Sequence, residues 1–235
     1  MIKQIQKDFR KYSNSEKAKH SQRFFKTSKG EYGYGDIFLG LTTPELKGIV
    51  GRYYKEVSLK NLLYFIQSKY HEYRMFGLQC LVYKYERCNT EEERKEIYDI
   101  YIRNIKYINN WDLVDVTCPK IVGEYLKDKD RDILYRLANS KDIWKQRIAV
   151  ISTFAFIRSN DFKDSLNICE ILVNHDHDLI QKAVGWTLRE VGKKDLKKEE
   201  QFLKKYYKNM PRTMLRYAIE RFEESKRQKY LKGEI

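Results

Sequence analysis

"LIQKAVGWTLREVG", Leu179 to Gly192, reads as an amphipathic helix, because Ile180, Ala183, Val184, Leu188 and Val191 recur at three- and four-residue spacing with polar residues between them. Three other stretches align with it: "YRMFGLQCLVYKYE" (73–86), "WKQRIAVISTFAFI" (144–157) and "TMLRYAIERFEE" (213–224). Each carries a basic residue shortly before a small one and then an apolar helical stripe. The small residues Gly77, Ala149, Ala183 and Ala218 lie 72, 34 and 35 positions apart. Because 72 is about twice 36, a further unit is expected near residue 113. A period of about 35 with helical patterning in every unit reads as an all-α stack of helix pairs, an α-solenoid of the HEAT or armadillo kind with a curved, concave face. The expected organisation is one domain over 1–235, with N-terminal helices and a glycine-rich loop over about 1–50 and the repeat stack over about 51–235.

Composition agrees. Only three prolines and eleven glycines interrupt 235 residues, so helix breakers are scarce. Lysine and arginine total 47 against 33 acidic residues, a net charge of +14, which makes a polyanion, nucleic acid first, the natural partner. A solubilising lysine surface is the plainer explanation of the same number. Cys80, Cys88, Cys118 and Cys169 form no CxxC pair, so neither a disulfide framework nor a zinc site is suggested. His175 and His177 alternate on the short connector "NHDHD" and read as solvated; no metal and no cofactor are expected. No apolar run approaches the ~20 residues that span a bilayer, and "MIKQIQKDFRKYS" lacks the apolar block of a signal peptide, so a soluble, cytoplasmic protein is expected. A stack that caps its own ends is expected to be a monomer.

The connectors mark the helix ends. Thr90 with Glu93 forms a capping box for the helix through "KEIYDIYIRNI". The stretch "KTSKGEYGYGDIFLGLTTPELKGI" (26–49) is too glycine-rich for a helix interior; it ends with Thr43 as N-cap and Pro44 at the first helical position. Its Tyr32, Tyr34 and Phe38 must pack or bind something to avoid apolar exposure, so the loop is either a surface connection or the rim of a site.

Near residue 113, where the missing unit is expected, stands "NNWDLVDVTCPK" (109–120). Trp111 and Asp115 are four residues apart and leave the same face of a helix. Asp112 sits better than Asp115 for a purely local contact with the helix N-terminus after Asn110. Pro119 frees a carbonyl and bends the axis. The other tryptophans also have a charged residue one turn on, Trp144 with Arg147 and Trp186 with Arg189. A single such pair is ordinarily core and edge of core. Recurrence in successive repeats would place all three on one groove, with Lys182 adding charge beside Trp186.

These residues resemble the AlkD-type DNA alkylation-repair glycosylases, which are built from HEAT-like repeats. "GDIFLGLTTPELK" (35–47), "WDLVD" (111–115), "IWKQRIAV" (143–150), "QKAVGWTLRE" (181–190) and "MPRTMLRYAIE" (210–220) carry the resemblance through nearly the whole chain. It implies that Asp115 is the catalytic carboxylate, that Trp111 and Trp186 flank the lesion sugar and backbone, and that Arg147 holds the adjacent phosphate. Arg189 and Lys182 then serve DNA binding, with Phe24 standing where the type member has a tyrosine that joins the site. Such enzymes act on alkylated bases in double-stranded DNA and excise cationic N3- and N7-alkylated purines, the type member without flipping the base into a pocket. The chemistry suits a lone carboxylate: the alkylated base is already a good leaving group, and positive charge accumulating on the sugar is stabilised by an anion. The alternative is a non-catalytic HEAT-like scaffold that binds damaged or branched DNA.

Overall fold

The computed structural model describes residues 1–235 as helices and connecting turns, with no strand and one isolated bridge between Ile37 and Tyr70. Its contacts divide into two compact units, Met1–Ile121 and Val122–Ile235. The first contains α1 (Ile2–Tyr12), α2 (Ser15–Phe24), α3 (Thr43–Tyr53), α4 (Leu59–Ile66), α5 (His71–Tyr85), α6 (Glu91–Arg103) and α7 (Trp111–Asp115). The second contains α8 (Asp132–Ala138), α9 (Ile143–Ser152), α10 (Phe154–Arg158), α11 (Lys163–Ile171), α12 (Asp178–Lys194), α13 (Leu196–Tyr206), α14 (Arg212–Ala218) and α15 (Glu224–Lys232). The protein is all-α, a HEAT-like succession of helix pairs. The matched segments fall on α5, α9, α12 and α14, and the unit expected near residue 113 is α7. No helix is long and apolar enough to cross a membrane.

In the first unit α5 is the central element. All but three of its side chains are buried, and α3, α4, α6 and α7 all pack on it. The residues before 50 belong to this body: Asp8 of α1 accepts hydrogen bonds from Lys11 at 2.7 Å and Tyr53 of α3 at 2.7 Å, and also pairs with Arg52. These contacts hold its carboxyl down at about 2. In the second unit α12 plays the central part, touching α9, α10, α11, α13 and α14. Gly185 makes the closest of these approaches feasible, since a Cβ there would lie 2.4 Å from the Met214 carbonyl oxygen and 2.5 Å from Tyr217 Cβ of α14.

The Thr90–Glu93 capping box forms as expected, with the Glu93 amide 3.2 Å from Thr90 Oγ1. The cap before α3 lies one residue earlier than expected. Thr42, not Thr43, is the N-cap, its amide donates to Glu45 at 2.7 Å, and Pro44 occupies the second position. "WKQRIAVISTFAFI" is likewise two helices rather than one stripe. Thr153 Oγ1 donates to the Val150 carbonyl at 2.7 Å, a local bond that competes with helix continuation and marks the break between α9 and α10.

Candidate active site

The first unit carries the Trp111–Asp115 pair on a helix of only five residues. Asn110 caps it, its side chain accepting from the Trp111 amide at 2.9 Å. Pro119 has no N–H to offer the Asp115 carbonyl, and the chain passes into a π-helical turn, Pro119–Gly123. Trp111 and Asp115 are both half-buried, one turn apart. Close to Asp115 the fully buried Tyr101 donates or accepts at Thr117 Oγ1, 2.9 Å away. Burial chiefly, with Cys118 and then Asp115 adding, keeps that phenol un-ionised.

The Trp111 indole stacks on Phe25 (centroids 5.4 Å apart, planes at 24°) and meets Phe24 edge-on at 6.1 Å. Phe24 is 59% exposed, a large apolar ring left at the surface beside the pair. Phe25 stacks in turn on Phe38 of the glycine-rich loop at 5.0 Å, and Phe38 on His71 at 4.5 Å. Phe24, Phe25, Phe38, His71 and Trp111 line an open cleft of about 580 Å³, with Lys17 at its edge. The loop's aromatics thus divide: Phe38 is buried in this stack, Tyr32 half-buried, and Tyr34 exposed.

Under the stack lies a buried polar cluster. Asp36, directly after the last loop glycine before the site, accepts from Arg74 at 2.6 Å, from Asn109 and Asn110 at 3.2 Å each, and from His71 Nδ1 at 3.2 Å. The other ring nitrogen, His71 Nε2, donates to Asp112 Oδ2 at 2.8 Å. Burial alone favours neutral imidazole, but the charge and hydrogen bond of Asp112 and the hydrogen bond to Asp36 outweigh it and push His71 up to about 9. Asp36 is held below its ordinary value: burial opposes ionisation, and the His71 hydrogen bond with the charges of Arg74 and His71 overcomes it. The four ionised groups therefore balance, two of each sign. Neighbouring Glu72, also buried, accepts from the amides of Leu39 (2.9 Å), Gly40 (2.8 Å) and Leu41 (3.3 Å) and so fastens the rest of the loop. Gly40, at φ +84°, is required there: a Cβ would lie 2.0 Å from the Asn14 carbonyl oxygen.

In the second unit Lys182, Trp186 and Arg189 follow one face of α12, while Ala183, Val184, Thr187 and Leu188 are buried. Trp186 Nε1 donates to Glu190 at 3.0 Å and its ring meets Phe154 edge-on at 4.7 Å. Lys182 pairs with Asp178 at 2.6 Å and Arg189 with Glu220. Arg147 is only 5% exposed and donates to the Leu179 carbonyl, tying α9 to the first turn of the helix that carries Trp186. Trp144 is half-buried in the first turn of α9, its amide donating to Asp142 at 2.8 Å. His175 and His177 are half-buried rather than solvated: His175 bonds Gln146 at 3.0 Å, and His177 accepts from the Leu179 amide at 3.2 Å as the N-cap of α12. His175 and His177 line a cleft of about 700 Å³ that contains none of the candidate catalytic or DNA-binding residues.

The family model described as "DNA alkylation repair enzyme" matches residues 5–222, nearly all of both units. The chain belongs to the DNA alkylation repair enzyme family. The structure titled "Predicted DNA alkylation repair enzyme from Enterococcus faecalis" superposes with a TM-score of 0.72 at 18% identity, over 90% of this chain and 97% of that one, and so shares its fold. No curated protein sequence matches the chain. Repair of alkylated DNA is therefore the role of this family member, with DNA as its substrate.

Several residues packed around Trp111 are not marked by any pattern in the sequence. Phe25, adjacent to the expected Phe24, makes the face-on contact with Trp111. His71, Glu72 and Arg74 were hidden because "HEYR" at the start of α5 has the look of a solvated first turn, and Asp36 because its partners lie far from the loop in sequence. The available signal was three ionisable side chains, His71, Glu72 and Arg74, opening a helix whose remainder is mostly apolar.

Proposed function

We propose that the protein hydrolyses the N-glycosidic bond of cationic alkylated purines, 3-methyladenine and 7-methylguanine, in duplex DNA, as a monofunctional glycosylase. The observation that carries this reading is Asp115 one turn from Trp111, both half-buried, on a short helix backed by an aromatic stack, in a member of the alkylation-repair family. Asp115 supplies the negative charge for the sugar cation that forms as the bond breaks and orients the attacking water. At about 4 Å and an effective dielectric near 20 the attraction is ~4 kcal/mol. Expressed only in the transition state, that is about a thousandfold in rate. An indole face toward the sugar adds ~1 to 2 kcal/mol when shielded from water.

The remaining parts bind. The +14 net charge favours phosphate neutralisation without regard to sequence, which suits an enzyme that must meet lesions anywhere. Lys182 and Arg189 contribute from α12, Phe24 from the exposed edge of the first unit, and Trp186 stands on the same α12 face for the lesion backbone. Arg147 acts by fixing α12, the helix that carries Lys182, Trp186 and Arg189, through its bond to the Leu179 carbonyl. The test is release of free methylated purines from methylated duplex DNA by the wild-type chain, with DNA affinity followed against salt. Release together with affinity that falls steeply as salt rises is expected. Salt-sensitive binding without release would instead favour the non-catalytic scaffold.

A further inference from the structure

Resting on that reading, we propose that His71 is a positioning residue for the reaction: as an imidazolium it clamps α7, and with it Trp111 and Asp115, to the glycine-rich loop. Five residues are too few for a helix to hold itself, and α7 runs out into the π-turn at Pro119. Its placement depends on side-chain ties, and these converge on His71. One tie is ionic, from His71 Nε2 to Asp112 at 2.8 Å. A second passes through Asp36, which His71 shares with Asn109 and Asn110 just before the helix. The third is aromatic: the imidazole lies against Phe38 at 4.5 Å and Phe25 at 5.1 Å, and Phe25 is the ring on which Trp111 stacks.

The proton is essential to this arrangement. A neutral imidazole has one N–H and can donate to only one carboxylate, whereas the cation donates to both. Around it stand Asp36 from the loop, Asp112 from α7, and Glu72 and Arg74 from α5, with Lys17 and His20 of α2 and Lys47 of α3 lining the same cleft. Losing the proton leaves Asp36 and Asp112 facing Arg74 alone, and Asp112, the carboxylate Arg74 does not touch, is the one released. The loop itself does not depend on His71. Glu72 still holds the amides of Leu39 to Leu41, and Arg74 still holds Asp36 and the Ser68 carbonyl at 3.0 Å. Clamp and fold are thus separable.

The experiment compares wild type, His71→Asn and Asp112→Asn on a duplex carrying one 7-methylguanine, from pH 7 to 10. In parallel, Trp111 emission is read in a background where Trp144 and Trp186 are replaced by phenylalanine. Both variants are expected to excise about 30-fold more slowly at saturation with little change in half-saturating DNA, the signature of misplaced groups rather than lost binding. Wild-type excision should fall as pH passes about 9 while the protein stays folded by circular dichroism, and Trp111 emission should change with the same midpoint; neither transition should occur in His71→Asn. A folded variant with wild-type rate and an intact alkaline limb, or Trp111 emission in the parent background that ignores pH between 8 and 10, would overturn the proposal. If wild type releases no base, an emission transition near pH 9 that His71→Asn abolishes keeps the clamp and removes the glycosylase; its absence removes the clamp. Asp112→Asn preserves the comparison should His71→Asn fail to fold.

Discussion

Both units bury carboxylic acids, and Asp36 of the first and Glu199 of the second fare differently. In the first, Asp36 at 5% exposure is ionised among Arg74, His71, Asn109 and Asn110. In the second, Glu199 at 2% exposure has an oxygen with no hydrogen-bond partner; burial first, then the charge of Glu200, pushes it up to about 8, with Arg189 opposing. The contrast teaches what burial of an acid demands. With two cations and two amides it remains a charge able to fix its surroundings; without them it takes up a proton and becomes a weak point. The ionised cluster lies beneath Trp111, where placement matters for the proposed chemistry, and the protonated acid lies in α13, which packs on α12.

The largest effect should come from breaking the balanced cluster. Arg74→Met leaves three charges and a net negative in the interior, and is expected to lower stability by about 3–5 kcal/mol in chemical denaturation. A loss below about 1 kcal/mol would mean that the cluster is wetter than its burial implies. Glu199→Gln should act in the opposite sense. The unfolded chain ionises this group from 4.5 while the folded one keeps its proton until about 8, so native stability falls as pH rises between those values. The variant should therefore be more stable than wild type by about 3 kcal/mol at pH 7 and equal to it at pH 4. A gain that did not depend on pH would show that the acid is not the source.

The smallest effect belongs to Asp8, a paired carboxylate whose partners Lys11 and Arg52 are more than half exposed. Its carboxyl is held at about 2 by the Lys11 and Tyr53 hydrogen bonds and then by Arg52, so the stabilisation is complete above the ordinary value of 3.8 and lost as pH falls through about 2. Solvent screening reduces it, and Asp8→Asn should cost only about 1 kcal/mol at pH 7. Denaturation midpoints at pH 7 and pH 2 check this, the difference from wild type shrinking at the lower pH.

The helices were legible because their cause is local. Apolar periodicity through α5, α9, α12 and α14, and the count of 72 between Gly77 and Ala149, point to α7 without any knowledge of contacts. The family likeness was legible in "WDLVD" and "QKAVGWTLRE" for the same reason: each lies within a single helix. Where pairing is long-range the sequence was silent. Nothing local joins Asp36 to His71 and Asp112, or Phe25 to Trp111, and the ionisable opening of α5 imitates a solvated helix start. Thr153 and Thr42 misled on a smaller scale, each through one hydroxyl or amide bond that shifted a helix end.

In the proposed reaction the first unit supplies the reacting charge through Asp115. The most direct test is the single-turnover rate of 7-methylguanine release by Asp115→Asn at saturating enzyme, with duplex affinity measured on the same preparation. A rate about a thousandfold below wild type with unchanged affinity is predicted; release at most of the wild-type rate would contradict it and return Asp115 to the role of an ordinary helix-end carboxylate.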